Sequence, residues 1–81
     1  MQVHIRLNGA LATQAGRGRL TLELPAEATV ADVMERLVQE LPDARPLIER
    51  AVAVIAGAHA PAAQPVGAGQ EVALLLPMAG G

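Results

Sequence analysis

A chain of 81 residues with no cysteine, no aromatic side chain and a formal charge of −2 excludes several kinds of protein at the outset. It is long enough for one core and too short for two, and without cysteine it offers no thiol nucleophile, thiolate zinc site or disulfide scaffold. It has no ring to stack on bases and no surplus of positive charge to meet phosphate, so nucleic acid is not expected as a partner.

The core must come from Leu, Val, Ile, Met and Ala, which supply the whole of the 52% apolar fraction. No apolar run approaches the roughly 20 residues needed to cross a bilayer. Met1 to Arg6 alternates in polarity instead of forming a signal-peptide core, so no membrane association and a cytoplasmic location are expected. All six basic residues are arginine. The α-amino group is then the one primary amine, although GC-rich coding explains an arginine-only chain as well as selection does.

Val3, Ile5 and Leu7 alternate with Gln2, His4 and Arg6, which predicts a strand over residues 2–7 with one dry face. Asn8-Gly9 breaks it, and Ala10 to Thr13 can add a short helical turn before the loop Gln14-Ala15-Gly16-Arg17-Gly18. Leu20, Leu22 and Leu24 alternate with Arg19, Thr21 and Glu23 up to Pro25, which cannot donate to a ladder. That is a second strand, antiparallel to the first, in a register the connection does not fix.

Thr29 is placed to cap a helix starting at Val30, with Asp32 as the reciprocal capping carboxylate. Val30, Val33, Met34, Leu37, Val38 and Leu41 follow one helical stripe and are expected in the core. Asp32 with Arg36, and Arg36 with Glu40, are spaced to pair along the outer face, and Pro42 stops the helix. Residues 43–50 read as a short helical turn or an irregular crossover. Ala51 to Ala56 is short and β-branched, a third strand ended by Gly57. Residues 58–66, broken by Pro61 and Pro65, hold at most an abbreviated edge strand. After the turn Gly67 to Gln70, the stretch Glu71 to Leu76 is apolar on both faces, as a central strand is, and Pro77 closes it. Met78-Ala79-Gly80-Gly81 has no bulky branching and no turn partner, and is expected to form a mobile tail.

The predicted order is strand, strand, helix, strand, short edge, strand and tail. Together with a terminal Gly80-Gly81, it resembles the ubiquitin-like β-grasp family and, within it, the bacterial sulfur carriers of the MoaD/ThiS type. Gln70 to Gly81 resembles the C-terminal signature of the small subunit of molybdopterin synthase (MoaD), and Pro25 to Leu37 is similar to that family's approach to its helix. The helix signal is weak, since any capped amphipathic helix looks alike. The diglycine is stronger, because a random chain ends this way on the order of once in two hundred. The chain departs from the family in having Leu76 for a second proline, Ala56-Gly57 for Asn-Gly, and Gln70 for an acidic residue.

The resemblance implies an α+β fold, a ubiquitin-like β-grasp with a mixed four- to five-stranded sheet packed on one main helix. It spans residues 1–77, with 78–81 as a flexible diglycine tail. It also implies that Gly81 is adenylated and then thiocarboxylated, with Gly80, Ala79 and Met78 threading a partner's channel. By similarity to ubiquitin, Val72 and Leu74 face the core and Ala73 and Leu75 the open side. The implied partner interface is Leu75, Ala73, Pro77 and His4; the bland alternative is a Leu75 covered by the 58–66 loop. His4 and His59 otherwise read as surface histidines, and Arg6, Arg17 and Arg19 as solvated charges.

The implied function is sulfur donation in molybdopterin synthesis as a non-catalytic subunit. No metal or cofactor is expected on this chain; ATP and Mg²⁺ belong to the activating enzyme. The implied partners are a ubiquitin-activating-type adenylyltransferase (MoeB/ThiF-like), a molybdopterin synthase large subunit (MoaE-like) and a sulfurtransferase. A ThiS-like carrier for thiazole or cysteine synthesis, a non-covalent β-grasp adaptor, and a modifier joined to lysines remain alternatives.

Overall fold

The period-two pattern at the N-terminus becomes β1, Gln2–Leu7, in a computed structural model that describes residues 1–77 of the chain. Val3, Ile5 and Leu7 are buried while Gln2, His4 and Arg6 face water. β2, Arg19–Glu23, lies antiparallel beside it with Val3 opposite Leu22. On its other side β5, Glu71–Leu75, runs parallel, with Leu7 opposite Leu74. β3, Val52–Ile55, is antiparallel to β5, and the two-residue β4, Ala58–His59, forms the far edge. The mixed sheet is ordered β2-β1-β5-β3-β4. β5 is therefore central, which is why Val72, Ala73 and Leu74 are all buried.

One face of the sheet is covered by α2, Val30–Glu40. The Thr29 hydroxyl accepts from the Asp32 N–H at 3.4 Å and the Asp32 carboxylate accepts from the Thr29 N–H at 2.8 Å, so the capping box closes as expected. Such a cap contributes about 1 kcal/mol. Committed there, the Asp32 carboxylate makes no ion pair with Arg36, which pairs instead with Glu40 at 3.3 Å. Val30, Val33 and Leu37 are buried, but Met34 and Val38 are only half-buried. Both pack against the core from its margin, as the stripe predicts. The abbreviated β4 and the small side chains after it leave the sheet edge beside α2 open, as a groove of about 890 Å³.

Two further helices were less legible. α1, Gly9–Ala15, extends past the single turn expected over Ala10 to Thr13 and buries Leu11 completely before Gly16 ends it at φ 75°. Residues 43–50 are mostly helical: a tight turn over Pro42–Ala44 leads into α3, Arg45–Arg50, which is anchored by a fully buried Ile48.

The β3–β4 hairpin turns on two residues, since Ile55 is opposite Ala58. Both have positive φ, 51° at Ala56 and 80° at Gly57. A left-handed pair of this kind favours Asn-Gly, because a Cβ crowds the following carbonyl oxygen and asparagine tolerates the region better than alanine. Ala56→Asn is expected to raise stability by about 0.5–1 kcal/mol. Thermal unfolding would show this as a higher midpoint, and a lower midpoint would contradict the strain assigned to Ala56.

Candidate functional site

The helices cover one face of the sheet and leave the other open. The register assigns that face residue by residue. His4 is opposite Thr21 on one side and Glu71 on the other; Arg6 is likewise between Arg19 and Ala73. Ala73 is opposite Val54, Val54 opposite His59, and Leu75 opposite Val52.

Leu75, 41% exposed, is the one large apolar side chain classed as exposed among the described residues. The 58–66 loop does not cover it. Its neighbours on this face are the half-buried Val52 and Val54, and together they make an apolar strip at the end of the sheet from which the chain leaves. The sequence did not single out these valines, because every residue from Ala51 to Ala56 is apolar and alternation could not say which of them face out.

The remaining interface expectations divide. Ala73 points to the open side but is only 6% exposed, set between Arg6 and Val54, so it offers a partner little surface. His4 is exposed on the same face, yet its partner on β5 is Glu71, four residues before Leu75. That spacing puts it roughly 13 Å up the sheet from Leu75. Its ring Nδ1 is 3.2 Å from the Thr21 hydroxyl oxygen. His4 therefore lines the same open face as Leu75, as expected, at a distance from it along the strands.

Arg6 stands nearer, and Arg19 is directly across from it. Like charges in such a pair cost a few tenths to about 1 kcal/mol. The only ion pair on Arg6 among the described residues is with Glu71 at 3.8 Å, with both side chains nearly half exposed, and contacts of that kind contribute little.

Leu76 is half-buried against the core and Pro77 is exposed. Met78, Ala79, Gly80 and Gly81 lie outside the described residues. The described residues contain no cluster of three or more His, Cys, Asp or Glu able to hold a metal ion. What the face presents is a place to dock: an apolar strip, Arg6 and Arg19 facing each other beside it, and a central strand that leads out of the sheet.

A mixed sheet in this order, wrapped around one long capped helix and ending on its central strand, defines a ubiquitin-like β-grasp domain. The ThiS family model matches residues 5–81, and the chain belongs to that family. Curated proteins give no match. Among solved structures the chain is similar to SAMP1 from Haloferax volcanii, 25% identical with a TM-score of 0.88 over 100% of both chains. It also resembles a protein from Pyrococcus furiosus described as molybdopterin converting factor subunit 1, at 17% identity and TM-score 0.84, over 96% of this chain and 99% of that one. A chain from the complex of subunits 1 and 2 of the Helicobacter pylori molybdopterin-converting factor is 16% identical with TM-score 0.70, over 100% of each. The last two bear on the fold alone.

Proposed function

We propose that the chain is a sulfur carrier whose Gly81 carboxylate is adenylated and then thiocarboxylated. In this reading it donates sulfur in molybdopterin synthesis as the small subunit of a molybdopterin synthase. The observation that carries the proposal is the central strand β5: it ends at an exposed Leu75 and continues in sequence through Pro77 to Gly80-Gly81.

A carboxylate is a poor electrophile, so the chemistry needs activation. The Gly81 carboxylate oxygen attacks the α-phosphorus of ATP on an adenylyltransferase and pyrophosphate leaves. The outer sulfur of a sulfurtransferase persulfide then attacks the carbonyl carbon, the C–S bond forms and the C–O bond to AMP breaks. Two equivalents of a reducing thiol cleave the resulting acyl disulfide, giving the thiocarboxylate, the free enzyme thiol and the oxidised disulfide. This chain contributes the reachable carboxylate, two glycines slim enough for close backbone approach, and the surface by which the partner grips it. Leu75 and Pro77 are the gripping residues, with Met78 and Ala79 spanning to the reacting end.

The likeness to SAMP1, a small archaeal modifier protein by the name of a second structure at 25% identity, favours one other reading, attachment to amines of other proteins. With no lysine among its 81 residues, the chain offers no side-chain amine for attachment to itself. The two readings, and the thiazole branch of the sulfur carriers, separate in reconstitution. Thiocarboxylated chain is expected to restore product formation with a molybdopterin synthase large subunit and not with a thiazole synthase. Product only with the thiazole synthase would move the chain to that branch, and a ladder of heavier conjugates would make it a modifier.

A further inference from the structure

We propose that the outer edge of β2 pairs antiparallel with the same strand of a second copy of this chain, joining the two sheets into one across a two-fold axis at Thr21. Arg19 of each copy then stands opposite Glu23 of the other, and Thr21 opposite Thr21. The proposal does not depend on the sulfur-carrier reading, and the edge it concerns lies two strands away from β5.

The pairing with β1 shows which backbone groups of β2 are free. The Leu24 N–H donates to the Met1 carbonyl at 2.8 Å, the Met1 amino group donates to the Leu24 carbonyl at 2.6 Å, and the Leu7 N–H donates to the Gly18 carbonyl at 2.8 Å. Leu20 and Leu22 are in step with these residues and turn their N–H and C=O groups toward β1, so Arg19, Thr21 and Glu23 turn theirs away from it. β2 ends the sheet, and among the described residues no turn or loop bonds to those outward groups. A row of this kind is a template for a further strand. The sheet's other edge offers far less, since β4 is two residues long and Pro61 follows closely.

Charge selects the occupant. Arg19-Leu20-Thr21-Leu22-Glu23 carries opposite charges at its two ends, so antiparallel pairing centred on Thr21 joins unlike charges at both ends and uses every outward N–H and C=O of both copies. A shift of two residues one way sets Pro25, which has no N–H, against Arg19 and loses both charge pairs. The reverse shift sets Arg17 against Glu23, but the Arg17 N–H is already held by the Ala12 carbonyl at 3.2 Å. A parallel pairing would put Arg19 beside Arg19. Arg19 has no anionic partner among the described residues and faces Arg6, a repulsion that Glu23 of the second copy offsets. Glu23 is free to reach, since its side chain is 67% exposed and its one ion pair among the described residues is a 3.6 Å contact with the N-terminus. On the core side the half-buried Leu20 meets Leu22 of the second copy. The two-fold axis stands perpendicular to the sheet, so both open faces lie on one side and the two β5 strands run in opposite directions roughly 24 Å apart, each with its own end clear of the contact.

An edge pairing is at the small end of protein interfaces, so sedimentation equilibrium of the full chain should show its mass doubling between about 10 μM and about 1 mM. Arg19→Glu and Glu23→Arg each turn both unlike pairs into like ones and should weaken association at least about tenfold. An equimolar mixture of these two variants restores an unlike pair at each end and should associate about as tightly as the wild type. Thr21→Pro removes an N–H that points away from β1, so it should abolish association while the unfolding midpoint stays within a few degrees. In hydrogen exchange the amides of Arg19, Thr21 and Glu23 should slow as concentration rises. A wild type still monomeric at about 1 mM, its edge left to water or to a strand of another protein, would overturn the proposal. So would a dimer that both single charge variants keep, or one that their mixture fails to restore. Should Thr21→Pro not fold, the mixture of the charge variants decides.

Discussion

Leu74→Ala is expected to lower stability by about 3 kcal/mol, whereas Leu75→Ala, one residue on, should lower it by less than about 0.5 kcal/mol. The two leucines differ only in which way the strand pleat turns them. Leu74 has no exposed surface and sits in register between Leu7 and Ala53, so truncation leaves a cavity in a core that has no aromatic ring to relax into it. Leu75 is 41% exposed, with Val52 as its cross-strand neighbour, and its truncation leaves only a dent in the surface. For a domain whose whole stability is about 5–15 kcal/mol, the first change is severe. Leu75→Asp should reverse the order of damage, holding the unfolding midpoint within a few degrees while weakening capture by the adenylating enzyme about tenfold or more. Thermal unfolding and carrier-dependent KM report the two effects separately. Equal destabilisation by both alanine variants would mean that Leu75 belongs to the core and not to an interface.

The second large effect lies in the diglycine. Gly80→Val should reduce adenylation by at least about a hundredfold and leave the unfolding midpoint where it was, because a misplaced reacting group forfeits the advantage of a bound, oriented one. A branched Cβ next to the reacting residue widens the chain where it must approach the nucleotide, and it narrows the backbone angles that glycine leaves free. A β-grasp adaptor that binds without tail chemistry would be indifferent to the change. Pyrophosphate release at saturating carrier, with thermal unfolding alongside, distinguishes the two.

Alternation made β1 and β2 legible, and capping with a helical stripe made α2 so, because each of those elements repeats its signal over several residues. Val3, Ile5 and Leu7, or Thr29 with Asp32, announce their geometry without help from the rest of the chain. α1 and α3 did not, since each is short and tied down by one buried residue, Leu11 or Ile48. Helices so short are stable only through packing, which the local sequence does not display. Met34 lies on the inner stripe of α2 as its spacing predicts, and it lines the groove beside the two-residue β4, half-buried against the core.

At the site, the resemblance to ubiquitin and not parity put Leu75 on the open face and Leu74 beneath it, since β5 is apolar on both faces, and the burial agrees. Nor could the pattern give position along the sheet; the parallel register of β1 and β5 sets His4 and Leu75 four residues apart. The Arg6–Arg19 pairing was hidden in the same way, behind a connection whose length left the register of β1 and β2 open. Read singly, those arginines were ordinary solvated charges; their grouping at one end of the face exists only in three dimensions.

Intact mass of the chain, after co-production with an adenylating enzyme and a sulfurtransferase, tests the central claim most directly. The account predicts a gain equal to sulfur replacing oxygen, located at Gly81 and missing when Gly81 is deleted. An unaltered mass while the same enzyme demonstrably consumes ATP in the presence of the chain would contradict it.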